Sequence, residues 1–226
     1  MKKFSYILFD LDGTLSDPKE GITKSFQYAL KHFGIQVENL DELEPVIGPP
    51  LKASFMNFYD LSEEDAVVAI AKYRERFGTI GLYENEIYPG IKELLEELVE
   101  KGYQIAIASS KPTEYVEQIC EHFQIKQYFR CIIGSFMDGR RVEKEEVVEE
   151  AIIQFGNVSK EEIIMVGDRK FDVTGAHDRG LKAIGVTYGY GGKEELTEAG
   201  ADFLANSVGE LRNLLLVREC KAGTKI

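Results

Sequence analysis

The sequence predicts an α/β fold: a doubly wound parallel sheet with a small all-helical cap inserted after the first strand. Three observations carry this. A short apolar run, Tyr6-Ile7-Leu8-Phe9, ends abruptly at two carboxylates one residue apart, Asp10 and Asp12, followed by Gly13. From Pro18 to Asn85 the apolar spacing is helical throughout, with no strand pattern. From Pro89 onward, short apolar runs alternate with helical patterns, which is the signature of βαβ units and a parallel sheet.

The elements follow in order. Tyr6 to Phe9 is apolar on both alternating faces, as a strand in the middle of a parallel sheet must be. Pro18 opens a helix over Lys19 to Phe33, with Ile22, Phe26, Ala29, Leu30 and Phe33 at helical spacing and Gly34 as its stop. Ile35 to Ile47 is acidic and weakly patterned, and Gly48-Pro49-Pro50 is a break. Leu51 to Tyr59 reads as a short helix. Ser62-Glu63-Glu64-Asp65 resembles a capping box and opens a helix to Phe77, with Gly78 as its stop. Beyond Pro89-Gly90, helices are expected at Ile91 to Lys101, Thr113 to Phe123, Lys144 to Phe155, Phe171 to Arg179, Glu194 to Ala199 and Val208 to Leu216. Strands are expected at Gln104 to Ala108, Cys131 to Gly134, Ile163 to Val166, Ala183 to Val186 and Phe203 to Ala205. Cys220 to Ile226 reads as a frayed tail. The implied division is a core of residues 1–15 and 86–226, with a helical cap over 16–85.

Composition narrows the function. A chain of 226 residues that is 44% hydrophobic has the makeup of an ordinary globular protein. No apolar run is long enough for a membrane span, and the early carboxylates rule against a signal peptide, so a cytoplasmic location is expected. The net charge of −12 argues against nucleic acid or an anionic membrane as partner. An anionic substrate must therefore be drawn in by local cations. The three cysteines, Cys120, Cys131 and Cys220, are scattered and expected to be reduced thiols. The three histidines, His32, His122 and His177, lack metal-ligand spacing. Oligomeric state is left open.

The chemistry gathers at strand ends. On a strand, residues i and i+2 point the same way, so Asp10 and Asp12 share a face at the C-terminal end of theirs. In open α/β sheets that end is where ligands bind. Paired carboxylates repel unless a cation or proton lies between them, so the stretch asks for a hard ion such as Mg²⁺. An Asp-Gly turn is the bland alternative. A calcium loop counted from Asp10 would need Glu at its twelfth position, where the chain has Gly21. Two further strands end in Ser109-Ser110-Lys111-Pro112 and in Gly167-Asp168-Arg169-Lys170-Phe171-Asp172. Lys144 opens a helix between them, against the helix dipole, which hints at an anion nearby. Gly189-Tyr190-Gly191-Gly192-Lys193 lacks phosphate-loop spacing and reads as a plain loop.

Together these residues resemble the haloacid dehalogenase superfamily. Asp10-Leu11-Asp12-Gly13-Thr14-Leu15 is similar to its first motif, the strand ending in Ser109 to its second, Lys144 to its third, and Gly167-Asp168 with Asp172 to its fourth. The helical insert resembles the cap of the phosphoglycolate-phosphatase-like branch, on a Rossmann-like core. Two departures stand out: Arg169 replaces the usual Ser or Thr, and no Lys-Pro pair marks the third motif, so Arg140 and Arg141 compete with Lys144. The resemblance implies a Mg²⁺-dependent phosphatase acting on a small phosphorylated metabolite. Asp10 would be the nucleophile and Asp12 the general acid and base. Ser109, Ser110 and Lys144 would bind the phosphoryl group. The metal would be held by Asp10, the Asp12 backbone carbonyl and Asp168, with Asp172 in support. From the cap, Lys24 and the turn Gly48 to Lys52 would read the leaving group, Lys24 and Lys52 suiting an anionic one such as phosphoglycolate. Phe26, Phe55 and Tyr59 would suit a nucleoside. A sugar phosphomutase or pyrophosphatase, and a non-catalytic phospholigand-binding protein, are the competing readings.

Overall fold

The computed structural model describes residues 4–216. Its main sheet has six strands: β1 (Tyr6–Phe9), β4 (Gln104–Pro112), β5 (Cys131–Ser135), β6 (Ile163–Gly167), β7 (Lys182–Val186) and β8 (Phe203–Ala205). All pair in parallel, in the order β5-β4-β1-β6-β7-β8. Strand alternation splits the core into two layers. Ile7 and Phe9 of β1 and Ile164 and Val166 of β6 pack on one face, while Leu8 and Met165 pack on the other. The helices that cover these faces are α4 (Ile91–Glu100), α5 (Thr113–His122), α6 (Lys144–Phe155), α7 (Lys170–Asp178), α8 (Gly192–Glu198) and α9 (Val208–Leu216). The doubly wound architecture is thus as the sequence predicts.

Register sets the site. Phe9 lies opposite both Ile107 and Val166, so β1, β4 and β6 end level with one another. Asp10, Ser109 and Asp168 each follow within two residues of those partners, at the carboxyl edge of the sheet.

Beyond β1 a pair of two-residue strands forms a stem. β2 (Ser16–Asp17) runs antiparallel to β3 (Glu86–Ile87). Between them the chain is helical: α1 (Lys19–His32), a 3₁₀ segment (Leu40–Val46), α2 (Leu51–Tyr59) and α3 (Glu63–Arg76). Ser62 Oγ caps α3 by accepting from Asp65 N–H at 3.1 Å. Phe26 and Phe55 are fully buried and stack at 4.3 Å, so these rings form the core of the helical stretch and present no face to a nucleobase.

Some boundaries differ from expectation. Gly78 does not stop α3; the chain continues as a π turn over Phe77–Gly81. Close packing on α1 explains this, because a Cβ on Gly21 would lie 2.0 Å from Gly81 O. The acidic stretch orders as a 3₁₀ segment because Lys19 pairs with Asp41 at 2.8 Å and Glu44 at 2.9 Å. Strand β4 extends past Ala108 to Pro112. The expectations for Cys220 to Ile226 lie outside the described residues. Among the described residues, no helix is long and apolar enough to cross a membrane.

Candidate active site

Asp10 continues β1 by one residue, its N–H donating to Val166 O at 2.9 Å. The chain then turns, with Leu11 O accepting from Thr14, Leu15 and Ser16. Gly13 is required in that turn. Its φ is +77°, and a Cβ there would lie 2.1 Å from Asp168 Oδ2. Asp168 leaves β6 and is fixed by two donors, Thr14 Oγ1 to Oδ1 at 3.2 Å and Tyr190 N–H to Oδ2 at 2.8 Å. Asp172 sits in the first turn of α7, where Oδ2 accepts from Arg169 N–H at 3.0 Å and satisfies a donor at the helix start.

Lys144, the first residue of α6, is buried among these acids. Its Nζ lies 3.0 Å from Asp10 Oδ1 and 2.7 Å from Asp172 Oδ1, and donates to Ala108 O at 3.1 Å. Neither carboxylate contact is aligned as a hydrogen bond, so both Oδ1 atoms stay without a bonded donor. Arg140 and Arg141 are directed elsewhere: Arg140 to Asp138 at 2.8 Å, Arg141 to Gly134 O at 2.9 Å. Lys144 is therefore the cation that meets the acids.

Carboxylate oxygens of Asp10, Asp168 and Asp172 all lie within 4.8 Å of one another. Burial pushes the Asp168 carboxyl well above the usual range, and the charges of Asp172 and Asp10 push it further. Burial raises Asp172 to about 6, with Lys144 pulling the other way. The Lys144 ammonium is opposed by burial, yet Asp10 and Asp172 outweigh that and leave it above its ordinary value. Such a cluster is short of positive charge despite the lysine. Orphaned hard oxygen donors at this spacing fit a divalent cation such as Mg²⁺.

Asp12 is not part of that cluster. Its Oδ2 takes a close ion pair from Lys111 Nζ, and burial raises its carboxyl while Lys111 opposes the rise. A cavity of about 600 Å³ opens over these groups, and Asp10, Asp12, Ser109, Ser110 and Lys144 all line it. Ser109 is buried and does not cap α5, whose N-cap is Pro112. Lys52 lines the cavity but is exposed and pairs with Glu63. Lys24 does not line it; it pairs with Glu20 and, at 3.2 Å, with Glu84. The structure thus gathers the predicted core residues and leaves Lys24 apart.

Several site residues are not found by sequence reasoning. Lys111 is one, although alternation along an extended β4 puts residues 109 and 111 on one face. Thr14 is another. The Gly189-Tyr190-Gly191 loop is more than a connection: it lies against Asp168, and a Cβ on Gly189 would lie 2.5 Å from Asp168 Oδ2. Arg74 of α3 also lines the cavity.

Known proteins place this geometry. A model described as haloacid dehalogenase-like hydrolase matches residues 7–186. A 5′-nucleotidase of Pseudomonas aeruginosa is 46% identical over 194 residues, covering 86% of this chain and 87% of that protein. A phosphoglycolate phosphatase of Vibrio parahaemolyticus is 29% identical over 219 residues, covering 93% and 96%. The crystal structure of a predicted phosphatase from Clostridium acetobutylicum matches with a TM-score of 0.91 at 49% identity, covering 94% of this chain and 98% of that one. A matching family model over most of its length, and relatives that span nearly all of it, assign the chain to the haloacid dehalogenase-like hydrolase family, as a phosphatase.

Proposed function

We propose that this phosphatase hydrolyses small phosphate monoesters of nucleotide type through an aspartyl-phosphate on Asp10, with Mg²⁺ as cofactor. Residues 16–85 act as the cap and residues 1–15 with 86–226 as the catalytic core. The observation that carries the reading is the cluster of Asp10, Lys144, Asp168 and Asp172, of which Asp10, Lys144 and Asp172 line a cavity that Asp12 also lines.

A carboxylate nucleophile repels an anionic phosphate unless positive charge is fixed beside it. Lys144 is held between Asp10 and Asp172 and supplies part of that charge. Asp10, Asp168 and the Asp12 backbone carbonyl would hold Mg²⁺, with Asp172 orienting Lys144. When bound, the cation neutralises phosphoryl oxygens and lowers the cost of anion approaching anion.

In the first half-reaction an Asp10 oxygen attacks phosphorus, the phosphorus–oxygen ester bond breaks, and the leaving alcohol takes a proton from Asp12. In the second, Asp12 removes a proton from water as the water attacks phosphorus, and Asp10 leaves as carboxylate. A carboxyl raised by burial and held by Lys111 suits that double role. Ser109 and the Ser110 backbone donate to the phosphoryl oxygens.

Size favours a nucleotide-type leaving group over a two-carbon one. The helical side of the cavity is largely apolar, with Ile22, Val46, Leu51, Ile70 and Tyr73 in its lining beside Lys52 and Arg74. A glycolate group would leave most of that wall wet. The relation to a protein named 5′-nucleotidase points the same way.

The test is phosphate release from a panel of nucleoside monophosphates, phosphoglycolate and sugar phosphates, with and without Mg²⁺. Release from nucleotides that needs both Mg²⁺ and Asp10, and that Asp10→Asn abolishes with the fold intact, is expected. No release from any ester would sink the reading and turn attention to a mutase, a pyrophosphatase or a phospholigand binder.

A further inference from the structure

Every cation that the sequence offers for reading a substrate from the helical stretch is already engaged. Lys24 pairs with Glu20 and Glu84, and Lys52 pairs with Glu63. Arg76, two residues from Arg74, forks onto both oxygens of Glu84. Arg74 differs. It lines the cavity from α3, half-buried, and no carboxylate pairs with it among the described residues. Nη1 donates to Met137 O at 2.6 Å, across from α3 to the loop after β5. Nε is buried and has no partner.

A guanidinium has five N–H donors, and this one uses a single bond to a neutral carbonyl. In a chain with a net charge of −12, acids are plentiful, yet among the described residues none pairs with it. Leaving a half-buried cation under-bonded costs stability, and the cost recurs at sites where a ligand completes the bonding. The surrounding wall, Val67, Ile70, Ala71 and Tyr73, offers no acceptor that could do so from within α3 apart from the Tyr73 hydroxyl. The missing acceptor belongs to whatever fills the cavity.

We propose that Arg74 is the specificity-determining residue of this site, reading an oxygen acceptor on the leaving group of the substrate. The proposal rests on the phosphomonoesterase reading above and names what that reading leaves open. The phosphoryl end is held at the sheet edge by Lys144 and Ser109. The body of the leaving group lies along the apolar wall. Its distal oxygen, either a nucleobase carbonyl or a carboxylate, meets the Arg74 guanidinium where it lines the cavity. Because Arg74 joins α3 to Met137 O across the cavity, the same contact favours the helical stretch in its present position over the site.

The test compares kcat/KM for three esters: phenyl phosphate, whose leaving group has no oxygen beyond the ester, uridine 5′-monophosphate, with a base carbonyl, and phosphoglycolate, with a carboxylate. The wild type should prefer an acceptor-bearing ester over phenyl phosphate, and which of the two it prefers identifies the acceptor. In Arg74→Met that preference should fall about ten- to a hundred-fold, the worth of a charged hydrogen bond, and through KM more than kcat. Arg74→Lys keeps the charge and should recover part of it. Arg74→Gln keeps a donor for Met137 O and separates loss of that tether from loss of charge; it should recover less than Lys if the acceptor is a carboxylate. An equal fall on all three esters in Arg74→Met, with melting temperature lowered, would make Arg74 merely structural and overturn the proposal while sparing the phosphatase reading. An unchanged preference would overturn it too. Absence of turnover on every ester by the wild type would remove both.

Discussion

Arg169 reaches from the carboxyl edge of the sheet to the helical stretch: its Nη1 donates to the carbonyl oxygen of Ile47. The same guanidinium is anchored behind by Glu195, whose Oε1 accepts from Nε at 2.9 Å. Gly48 lies close beside it, since a Cβ there would fall 2.9 Å from Arg169 Cγ. The residue that departs from the family's usual Ser or Thr is therefore a tie between the core and the proposed cap. Replacing Arg169 by Ser should lower stability by about 1.5–3 kcal/mol, the worth of one charged hydrogen bond. It should raise KM several-fold with kcat changed less, because the cap would spend less time over the site. Chemical denaturation and steady-state kinetics check both, and an unchanged KM would remove the tie from the account of substrate closure.

Lys144 carries more. Its side chain is 5% exposed, between Asp10 at 3.0 Å and Asp172 at 2.7 Å. Truncating it to Met leaves buried acids without their cation, a change that costs about 3–5 kcal/mol in comparable buried pairs. The loss should be largest at pH 7.5 and shrink at pH 5, where protons can replace the ammonium. Activity should fall at least a thousand-fold, as expected when fixed charge at a phosphoryl transition state is removed. Melting temperatures of Lys144→Met at the two pH values, without metal, test this. Equal destabilisation at both would show that the acids do not depend on it for charge.

These residues differ in how readable they were. Asp10 and Asp12 announce themselves because a strand's two-residue period puts both on one face where an apolar run stops. Lys144 was legible because a cation opening a helix runs against the dipole. Lys111 was not, because the apolar run that marks the strand stops at Ala108, whereas β4 continues to Pro112. Arg74 lies in the Arg74-Glu75-Arg76 run like any surface charge, and only the fold shows that Arg76 finds an acid and that, among the described residues, Arg74 does not. Lys24 shows the converse. Sequence reasoning offers it as a substrate contact, whereas the fold pairs it with Glu20, four residues back on the same helix face. Tertiary approach, such as Gly189 on Asp168, leaves no local pattern to read.

Cys120 lies fully buried on α5, and burial pushes its thiol up to about 12. At pH 8 the thiolate fraction would then be on the order of one in ten thousand, and the reactive form is the thiolate. Iodoacetamide should leave Cys120 unmodified in the native protein over an hour at pH 8, and urea should abolish that protection. Peptide mass mapping separates it from the other cysteines. Rapid native labelling of Cys120 would show that α5 opens readily from the sheet.

The final expectation concerns metal and protons together. Burial raises Asp172 to about 6 in the folded chain against an ordinary 3.8, and Asp168 is raised in the same direction. A carboxyl raised by folding favours the folded state when protonated. That contribution is fully present below about 3.8 and is lost as pH rises through about 6. The contribution of Asp172 to the stability of metal-free protein should therefore fall across this window. Mg²⁺ competes with those protons, so its stabilisation should be small at pH 5 and grow to a plateau by pH 7.5. Melting temperatures with and without saturating Mg²⁺ at pH 5, 6 and 7.5 measure it directly. Asp168→Asn should flatten the pH dependence, since it removes both a proton site and a proposed ligand. A Mg²⁺ shift that is constant with pH, or largest at pH 5, would mean that the ion binds somewhere other than among these buried carboxylates.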